Sequence, residues 1–580
     1  MKRFKYIGIM MMAAGMLTAT SCSDFDDYNE TQMNTELTGN LSLWENIKQN
    51  PNLSDFKALV EKAGFDDELQ GSHYYTVWAP LNGTFDKAQF ENLSEAALLK
   101  QFVYNHIADY NHPISGDVTN RIYTLNRKTY NFTGLGGEIT YADVKLAQAN
   151  IPSTNGIIHT LNGAAIYYDN IYDFITGSEE YTMIRDYFNK YELSRLDEEN
   201  SVKGPMVNGL QTYVDSVMIV ENSLLDRMHL DANLQHEDSS YTFILPTDKA
   251  WESAYNRIKP YYNFIKNTVA QDLAGTQSSS SIKTINTGDI DNALLSDSLT
   301  KRRLTNNLVL SNNNMYNRWV VEGREATPTD TIFTTYWNKF SNPGDILAQT
   351  IGEPLKMSNG WVRPVDSLAF YPWEAYAPEL RVNPYWNAGL ITASGSTRQI
   401  TVKYPQLVYP WGDLTETGGE LSFTNIEPSG ARTKPELHTF LPNVLSTKYK
   451  FYVVFVPGKL IGEDNRPNQL NFVLNYCDAN GKLQKYNFSS DLKHDNPKTQ
   501  KPFVNDTSKI DTMFIGEFKF PVAYYGLSNS GNKTIAPDIK ISSPMSVFNT
   551  TLLNTYTRAL RIAAIIMKPV ELAEFEENQK

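Results

Sequence analysis

The first third of the chain shows the spacing of amphipathic helices with a strand between them. Apolar residues recur three and four positions apart at Leu43, Ile47, Leu53, Phe56, Leu59, Val60 and Ala63. This spacing predicts helices with one buried face. A strand-like run, Tyr74–Ala79, ends at Pro80, and a second apolar helix face follows at Leu98–Val103. We expect a mixed α+β domain that begins near residue 41.

The last third of the chain has the pattern of a β protein. Eight strand-like runs separated by turn residues follow Gly395, at 399–403, 420–423, 449–456, 470–476, 483–488, 511–520, 539–542 and 556–568. Asn480-Gly481, between two of these runs, is a typical hairpin turn. The spacing predicts an all-β antiparallel sandwich or jelly roll over residues 395–580.

The N-terminus has the three parts of a secretory signal. Lys2, Arg3 and Lys5 precede an apolar run of about a dozen residues, shorter than the roughly 20 residues of a membrane-spanning helix. The segment ending at Cys22 resembles a bacterial lipobox, although Leu17 lies five positions before the cysteine instead of three. We expect residues 1–21 to be a lipoprotein signal peptide and Cys22 to carry the lipid, palmitate included. An ordinary signal peptide with an incidental cysteine is the alternative.

Residues 22–40 are polar and without periodicity, and we interpret them as an acidic tether. Ser23-Asp24-Phe25-Asp26-Asp27 resembles the export signal that sends Bacteroidetes lipoproteins to the outer face of the outer membrane. The resemblance implies an outer-membrane lipoprotein that faces the cell surface. A solvated acidic linker with no export role is the alternative.

Composition excludes several classes of protein. The 580 residues contain 52 Lys and Arg against 65 Asp and Glu, for a formal net charge of −13, and no basic stripe. A nucleic-acid partner is therefore not expected. Cys22 and Cys477 are too few for a cysteine-based zinc site or a disulfide framework, and we predict neither a metal site nor a cofactor.

Residues 41–170 contain three ordered segments with aromatic, Asn-Gly and His positions. The positions are Trp78, Pro80, Asn82 and Phe85 in the first segment, Tyr104 and His106 in the second, and Asn155, Gly156 and His159 in the third. Together they resemble the signature of the fasciclin family, with Trp78 in place of the usual Phe. The resemblance implies an α+β fold, a β-sandwich wedge with helices, and a role as an adhesion module.

The signature residues have a physical interpretation of their own. Trp78 and Phe85 are large apolar groups on either side of a Pro-Asn turn, so we expect them to fill the core. His106 and His159 lie in apolar runs, where an imidazole bonded to the backbone would fasten the core. We interpret the signature residues as structural, with a catalytic or metal-binding histidine as the alternative.

Part of the pattern recurs in residues 171–370. Tyr241–Trp251 resembles the first fasciclin segment again, and Asn359–Leu368 resembles the closing one. Asn307-Leu308-Val309 stands where the Tyr-His element is expected, and a long insertion covers about 265–318. We therefore expect two fasciclin-like domains in tandem, followed by the β-sandwich.

Residues 371–394 form a connector rich in aromatic residues and proline. Proline restricts the backbone, so the rings would be held in fixed positions. We name Trp373, Tyr376, Trp386 and Trp411 as possible ligand-binding residues, because exposed aromatic faces stack on sugars and on protein partners. The alternative is that the rings wedge two domains together.

The motif search favours recognition over catalysis. The chain has no Gly-x-Ser-x-Gly elbow, His-Glu-x-x-His helix, P-loop or dinucleotide fingerprint. We expect a non-enzymatic adhesion or ligand-recognition lipoprotein for a glycan or protein ligand. Lipoproteins of the resembled type often accompany a SusC/SusD-like TonB-dependent uptake system. The alternatives are a glycan-active hydrolase with its site on the C-terminal sandwich, and a structural subunit of an outer-membrane assembly.

Overall fold

The computed structural model describes residues 39–135, 137–198, 201–207, 210–215, 218–264, 267–272, 282–286, 292–384, 390–404, 419–479, 483–488, 501–525, 533–534, 537–545 and 548–579. The chain folds into two compact units. Unit 1 contains the described residues up to Phe174, together with Leu234–Ser240 and Lys356–Gly360. Unit 2 contains Ile175–Asn233, Tyr241–Leu355 and the described residues from Trp361 onward.

Short helices form the first layer of unit 1. They are α1 (Leu43–Gln49), α2 (Ser54–Lys62), α3 (Asp66–Gln70), α4 (Ala88–Glu91) and α5 (Glu95–Leu98), with 3-10 turns at Pro51–Leu53 and Tyr104–His106 and a π-helical turn at Leu99–Val103. A capping box at Ser42 and Glu45 starts α1. The predicted helices are therefore present, each with its apolar positions turned toward a common core.

A seven-stranded sheet forms the second layer of unit 1. Its strands are β1 (Tyr75–Pro80), β2 (Ile107–Asp109), β3 (Val118–Tyr123), β4 (Thr129–Leu135), β5 (Glu138–Tyr141), β6 (Val144–Ser153) and β7 (Gly156–Leu161), in the order β2-β1-β7-β6-β5-β4-β3. β1 and β7 run parallel and the other neighbours are antiparallel. Two signature segments, the one around Trp78 and the one around His159, are thus adjacent central strands.

The sheet of unit 1 separates two cores. Val77 and Ile158 pack with the helices on one side, while Trp78, Phe132 and Tyr141 pack on the other. Successive residues of a strand point to opposite faces, which is why neighbours such as Val77 and Trp78 belong to different cores.

The first half of unit 2 mixes helices with short strands. The helices are α6 (Ile171–Thr176, which begins in unit 1), α7 (Thr182–Asn189), α8 (Asp248–Ile258), α9 (Asn292–Thr305), α10 (Arg318–Val321) and α11 (Pro343–Leu347). The strands are β8 (Glu192–Leu196), β9 (Val202–Val207), β10 (Leu210–Asp215), β11 (Met218–Asn222), β12 (Tyr241–Pro246), β13 (Asn267–Asp272), β14 (Ile282–Asn286), β15 (Val309–Ser311), β16 (Ile332–Phe333), β17 (Lys339–Phe340), β18 (Leu355–Met357, which ends in unit 1) and β19 (Gly360–Val365). The serine-rich run predicted to be mobile, 277–281, lies outside the described residues.

This part of unit 2 repeats local structure found in unit 1. In unit 1, β1 pairs antiparallel with β2, and Thr76 lies opposite Ala108. In unit 2, β12 pairs with β15 in the same way, and Thr242 lies opposite Leu310. Asp248 accepts hydrogen bonds from the start of α7, as Asn82 does from the backbone of α2. The two segments that resemble each other in sequence therefore make equivalent contacts.

The C-terminal half of unit 2 is built around two antiparallel sheets. Its elements are α12 (Pro372–Ala375), β20 (Leu380–Val382), β21 (Leu390–Ser394), β22 (Ser396–Tyr404), β23 (Gly419–Glu427), β24 (Glu436–Phe440), β25 (Lys448–Phe455), β26 (Gln469–Cys477), β27 (Leu483–Phe488), β28 (Phe503–Val504), β29 (Asp511–Lys519), β30 (Lys533–Thr534), β31 (Asp538–Ser542), α13 (Thr550–Thr555), β32 (Leu560–Pro569) and α14 (Val570–Asn578). One sheet has the order β22-β23-β32-β25-β29 with β20 beside β32, and the other has the order β21-β24-β31-β26-β27 with β28 beside β26. The short strand β30 pairs with β13.

The two C-terminal sheets share one core. Phe451 and Ile565 from one sheet and Phe472 and Ile541 from the other belong to the same buried cluster. All eight predicted runs contain strands, but within residues 395–580 the sequence pattern missed β24 and the two-residue strands β28 and β30. The polar His438 of β24 is buried beside Asp538, so this strand lacks the alternation of a half-exposed strand.

Candidate functional site

A cavity of about 380 Å³ opens on the described part of unit 1. Ligand pockets of proteins are typically 300–1,000 Å³. Its walls are Thr129, Tyr130, Asn131, Ala142, Asp143, Val144, Ala164, Ile166, Tyr168, Lys356, Met357 and Ser358. The cavity therefore has room for a small ligand and offers aromatic, apolar, amide and charged side chains together.

A strained hairpin turn supplies one wall of the cavity. β5 and β6 pair through Tyr141 and Val144, which leaves only Ala142 and Asp143 to turn the chain. Both have positive φ angles, 49° and 65°, which side-chain-bearing residues adopt at a cost in free energy. The turn places the Asp143 carboxylate at the cavity.

Tyr130 lies deeper in the wall and is held by hydrogen bonds. Its hydroxyl donates to Oδ1 of Asn105 over 2.5 Å, and Asn105 in turn donates from Nδ2 to the carbonyl of Ala165 over 3.0 Å. Burial, and then the negative charge of Glu237, raise the pKa of the Tyr130 phenol well above its usual value. The ring is therefore a neutral, fixed surface at physiological pH.

A buried ion pair lies behind the cavity wall. Nζ of Lys128 donates to Oε1 of Glu237 over 3.0 Å and to Oγ of Ser358 over 2.9 Å, and Ser358 donates to the same Glu237 oxygen over 2.8 Å. The Lys128 and Glu237 side chains are only 3% and 6% exposed. These contacts fix Ser358, a wall residue, to the fasciclin-like sheet of unit 1. Sequence reasoning missed all three residues.

The mouth of the cavity carries two charges of opposite sign. The ammonium of Lys356 lies 5.1 Å from the centre of the Tyr168 ring. Neither Lys356 nor Asp143 forms an ion pair with another residue that the structure describes, and both residues are exposed. Each is available to a polar ligand.

The two signature histidines are core residues. Nδ1 of His106 donates to the carbonyl of Phe102 over 2.7 Å, and Nε2 accepts from the amide of Ala165 over 2.9 Å. Nε2 of His159 donates to the carbonyl of His112 over 3.1 Å. Burial lowers the pKa of each to about 4. Both rings are therefore neutral, and neither lines the cavity.

The other signature residues make structural contacts within unit 1. Asn82 accepts from the amide of Asp55 over 2.9 Å, and Trp78 stacks on Tyr141 with ring centres 4.4 Å apart. Phe85 packs on Phe102, Tyr104 packs on Phe65, and Pro80 is buried in β1. None of these side chains lies at the cavity.

Asn155 joins three segments. Its Oδ1 accepts from the amide of Leu43 over 2.8 Å, and its Nδ2 donates to the carbonyls of Leu69 and Gly71 over 3.0 and 2.8 Å. Gly156 follows with a φ of 152°, and a Cβ there would lie 2.0 Å from the carbonyl oxygen of Tyr75. The structure thus requires the side-chain amide at position 155 and the absence of a Cβ at position 156.

Asn359 repeats that arrangement. Its Oδ1 accepts from the amide of Ile171 over 2.9 Å, and its Nδ2 donates to the carbonyls of Leu234 and His236 over 2.8 and 3.1 Å. Gly360 follows with a φ of 141°. The second Asn-Gly segment therefore binds the start of a helix and a loop distant in sequence, where the first one binds the start of α1 and the end of α3.

The aromatic connector packs against its own chain. Tyr376 is 2% exposed and its ring lies 5.1 Å from that of Tyr261. Trp373 is half-buried between Tyr371 and Phe575 of α14, with ring centres 4.8 and 4.9 Å away. Tyr376 therefore offers no face to a ligand. Trp386, Trp411 and the lipid-attachment residue Cys22 lie outside the described residues.

Metal sites and membrane-spanning helices are both missing from the part of the chain that the structure describes. No group of three or more His, Cys, Asp or Glu side chains there is arranged to hold a metal ion. No helix there is both long enough and apolar enough to cross a membrane.

Comparison with known proteins shows a fasciclin domain at residues 51–166. The FAS1 domain pair of the insect cell adhesion molecule Fasciclin I matches with 11% identity and a TM-score of 0.21, over 56% of this chain and 99% of that one. The CBM22-1–GH10 modules of a Clostridium thermocellum xylanase, complexed with xylohexaose, match with 10% identity and a TM-score of 0.17, over 30% of this chain and 25% of that one. The C-terminal family 22 carbohydrate binding module of the same xylanase matches with 13% identity and a TM-score of 0.17, over 31% and 84%. No functionally curated protein matches the chain.

Proposed function

We propose, from the fasciclin domain at residues 51–166, that this chain is a non-enzymatic recognition protein that holds its ligand in the Tyr130–Tyr168 cavity. The observation that carries the proposal is the composition of that cavity. Aromatic and apolar surface lies beside two charges that have no ion-pair partner among the described residues, Lys356 and Asp143. Binding sites for small ligands combine mostly apolar walls with a few such polar groups.

The ligand class that we propose is a glycan. Tyr130 and Tyr168 offer flat apolar faces, while Thr129 and Asn131 offer the hydroxyl and amide groups that bind sugar hydroxyls. The cavity volume of about 380 Å³ fits one or two sugar rings rather than a folded protein.

We also propose that residues 171–370 form a second fasciclin-like domain and that residues 395–580 form a β-sandwich. The matching hydrogen bonds of Asn155 and Asn359 support the tandem arrangement. The core that the two C-terminal sheets share supports the sandwich.

The protein would act on the cell surface as an outer-membrane lipoprotein. The signal-like segment before Cys22 and the acidic run Ser23–Asp27 are the basis of this part of the proposal. A SusC/SusD-like uptake system is the partner that we propose. A ligand captured in the cavity would be passed to the transporter.

Copurification tests the location and the partner. The intact lipoprotein is purified from gently solubilised outer membranes, and the accompanying proteins are identified by mass spectrometry. We expect a transporter and its lid in fixed proportion to the lipoprotein. The Cys22→Ser variant should be released from the membrane and should lose that association. A lipoprotein recovered alone would contradict the uptake role while leaving ligand recognition open.

Substitution in the cavity tests recognition. Tyr168→Ala and Lys356→Gln should each weaken retention on a glycan array at least about tenfold, because each removes a group that faces the ligand. Tyr123→Ala and Lys145→Gln are matched controls, since both side chains are exposed on unit 1 away from the cavity. Equal retention of the cavity variants and the controls would contradict the proposal.

A further inference from the structure

One hairpin turn in unit 2 exposes a tryptophan. The turn between β16 and β17 closes with hydrogen bonds from the amide of Trp337 to the carbonyl of Thr334 and from the amide of Thr334 to the carbonyl of Asn338. Trp337 is 75% exposed and has a φ of 66°. An exposed indole leaves apolar surface in water, and a bulky side chain at positive φ adds backbone strain. Folding gains nothing from either property.

Unit 1 contains the same turn without the tryptophan. There the amide of Arg127 donates to the carbonyl of Thr124, and the amide of Thr124 donates to the carbonyl of Lys128. Arg127 is exposed and has a φ of 64°, almost the angle of Trp337. The turn therefore forms without an aromatic residue, so its geometry does not account for Trp337.

Further aromatic and polar groups lie on the same hairpin. The ring of Phe333 packs at a tilt against that of Tyr316, a residue before the hairpin that is 52% exposed, with ring centres 4.8 Å apart. The ammonium of Lys339 lies 5.9 Å from the Phe333 ring, and the half-buried Tyr336 precedes the tryptophan. The hairpin therefore carries one exposed ring, Trp337, together with partly exposed rings, a phenol hydroxyl and an ammonium group.

We propose that Trp337 stacks on a pyranose ring of a glycan, at a site separate from the unit 1 cavity. The C–H groups of one sugar face match the electron-rich indole face, and the neighbouring hydroxyl and ammonium groups match sugar hydroxyls. A stable protein interface needs about 800 Å² from each partner, far more than one hairpin turn presents. A single sugar ring needs only the indole. This inference rests on the proposed glycan-recognition function and adds a second contact to it.

Affinity electrophoresis of the intact mature chain tests the site. Native gels are cast with soluble starch, arabinoxylan, pectin or mucin, and mobility is compared for the wild type, Trp337→Arg and Trp337→Gly. The Arg variant copies the unit 1 turn, and glycine accepts positive φ without strain. We expect at least one polysaccharide to slow the migration of the wild type. The same polysaccharide should retard each of the two variants at least about fivefold less. Phe548→Ala, which removes an equally exposed ring of unit 2, should behave as the wild type.

Thermal unfolding separates recognition from a packing role. Trp337→Gly should melt at the same temperature as the wild type or above it, because strain and exposed apolar surface are removed. A melting temperature lowered by several degrees would overturn the proposal. Unchanged retardation of Trp337→Arg, or the absence of retardation in all four gels, would overturn it as well.

Loss of retardation in Tyr168→Ala but not in Trp337→Arg would leave the unit 1 cavity as the glycan site and refute only this inference. Trp337-dependent capture of one protein with no polysaccharide binding would replace the glycan by a protein partner.

Discussion

Asn155 and Asn359 make equivalent hydrogen bonds in two separate parts of the chain. Each accepts the first amide of a helix, from Leu43 or Ile171, and each donates to two carbonyls of a preceding segment, the C-terminal end of α3 for Asn155 and a loop for Asn359. Each amide is buried and followed by a glycine at positive φ. The two segments therefore have one structural role, which is to tie a helix start and a preceding segment to the sheet.

Removing either amide should destabilise the protein by a similar amount. Asn155→Ala and Asn359→Ala each leave one amide and two carbonyls without their partner, and buried groups of this kind cost about 1–3 kcal/mol each. We expect a loss of roughly 3 kcal/mol or more in denaturant unfolding for both variants. Asn92→Ala, on the exposed end of α4, is the control. If Asn155→Ala lowered the free energy of unfolding and Asn359→Ala left it unchanged, the two asparagines would not be equivalent.

Glycine is required at position 156 for a steric reason. A Cβ at Gly156 would lie 2.0 Å from the carbonyl oxygen of Tyr75, so Gly156→Ala must displace β1 from β7. We expect a loss of more than about 2 kcal/mol, above the usual cost of backbone strain alone. Gly83→Ala is the matched control, because Gly83 also has a positive φ but its Cβ would meet nothing within 4 Å. Equal effects of the two substitutions on the melting temperature would refute the steric explanation.

Removing one charge of the buried Lys128–Glu237 ion pair should lower the stability of the folded protein. Lys128→Met leaves the Glu237 carboxylate buried without its cation, and such a loss typically costs 3–5 kcal/mol. The double variant Lys128→Met with Glu237→Gln removes both charges and should recover much of that loss. Denaturant unfolding measures both values. A double variant no more stable than the single one would show that packing, rather than the lone charge, dominates.

Acid should destabilise unit 1 through its buried histidines. Burial lowers the pKa of His106 and His159 from 6.5 to about 4, so the folded protein keeps both rings neutral where the unfolded chain protonates them. The stability is complete above pH 6.5 and is lost as the pH falls toward 4. The difference corresponds to roughly 3 kcal/mol for each ring.

Urea unfolding at several pH values between 7.5 and 4 measures this effect. His106→Gln removes one titrating group and should make the loss of stability on acidification measurably smaller, while His159, and His112 whose pKa burial also lowers, keep part of it. An unchanged pH dependence in that variant would contradict the assignment of the loss to His106.

The sequence predicts the parts of this structure that depend on local pattern. The spacing of Leu43, Ile47 and Phe56 is a helix pattern, and the Asn155-Gly156 segment is recognisable because its backbone conformation requires a glycine. Eight of the C-terminal strands are found for the same reason, since an alternating or continuous apolar run between turn residues is a local property.

The candidate site depends on contacts between distant residues and could not be predicted in this way. Lys128 lies 109 residues from Glu237 and 230 from Ser358, and none of the three belongs to a motif. Tyr376 shows the same limit. Its proline-rich surroundings leave open whether the ring is exposed to a ligand or packed inside the protein, and only its contact with Tyr261, which is distant in sequence, shows that it is buried.

The central claim is that unit 1 recognises a ligand in its cavity without transforming it. The most direct measurement incubates the intact mature chain with a mixture of defined oligosaccharides and analyses both the protein-bound and the free fraction by mass spectrometry. We predict that one class of oligosaccharide is retained intact by the wild type and by Tyr123→Ala but not by Tyr168→Ala. Shortened oligosaccharides in the free fraction, or retention that does not depend on Tyr168, would contradict the claim.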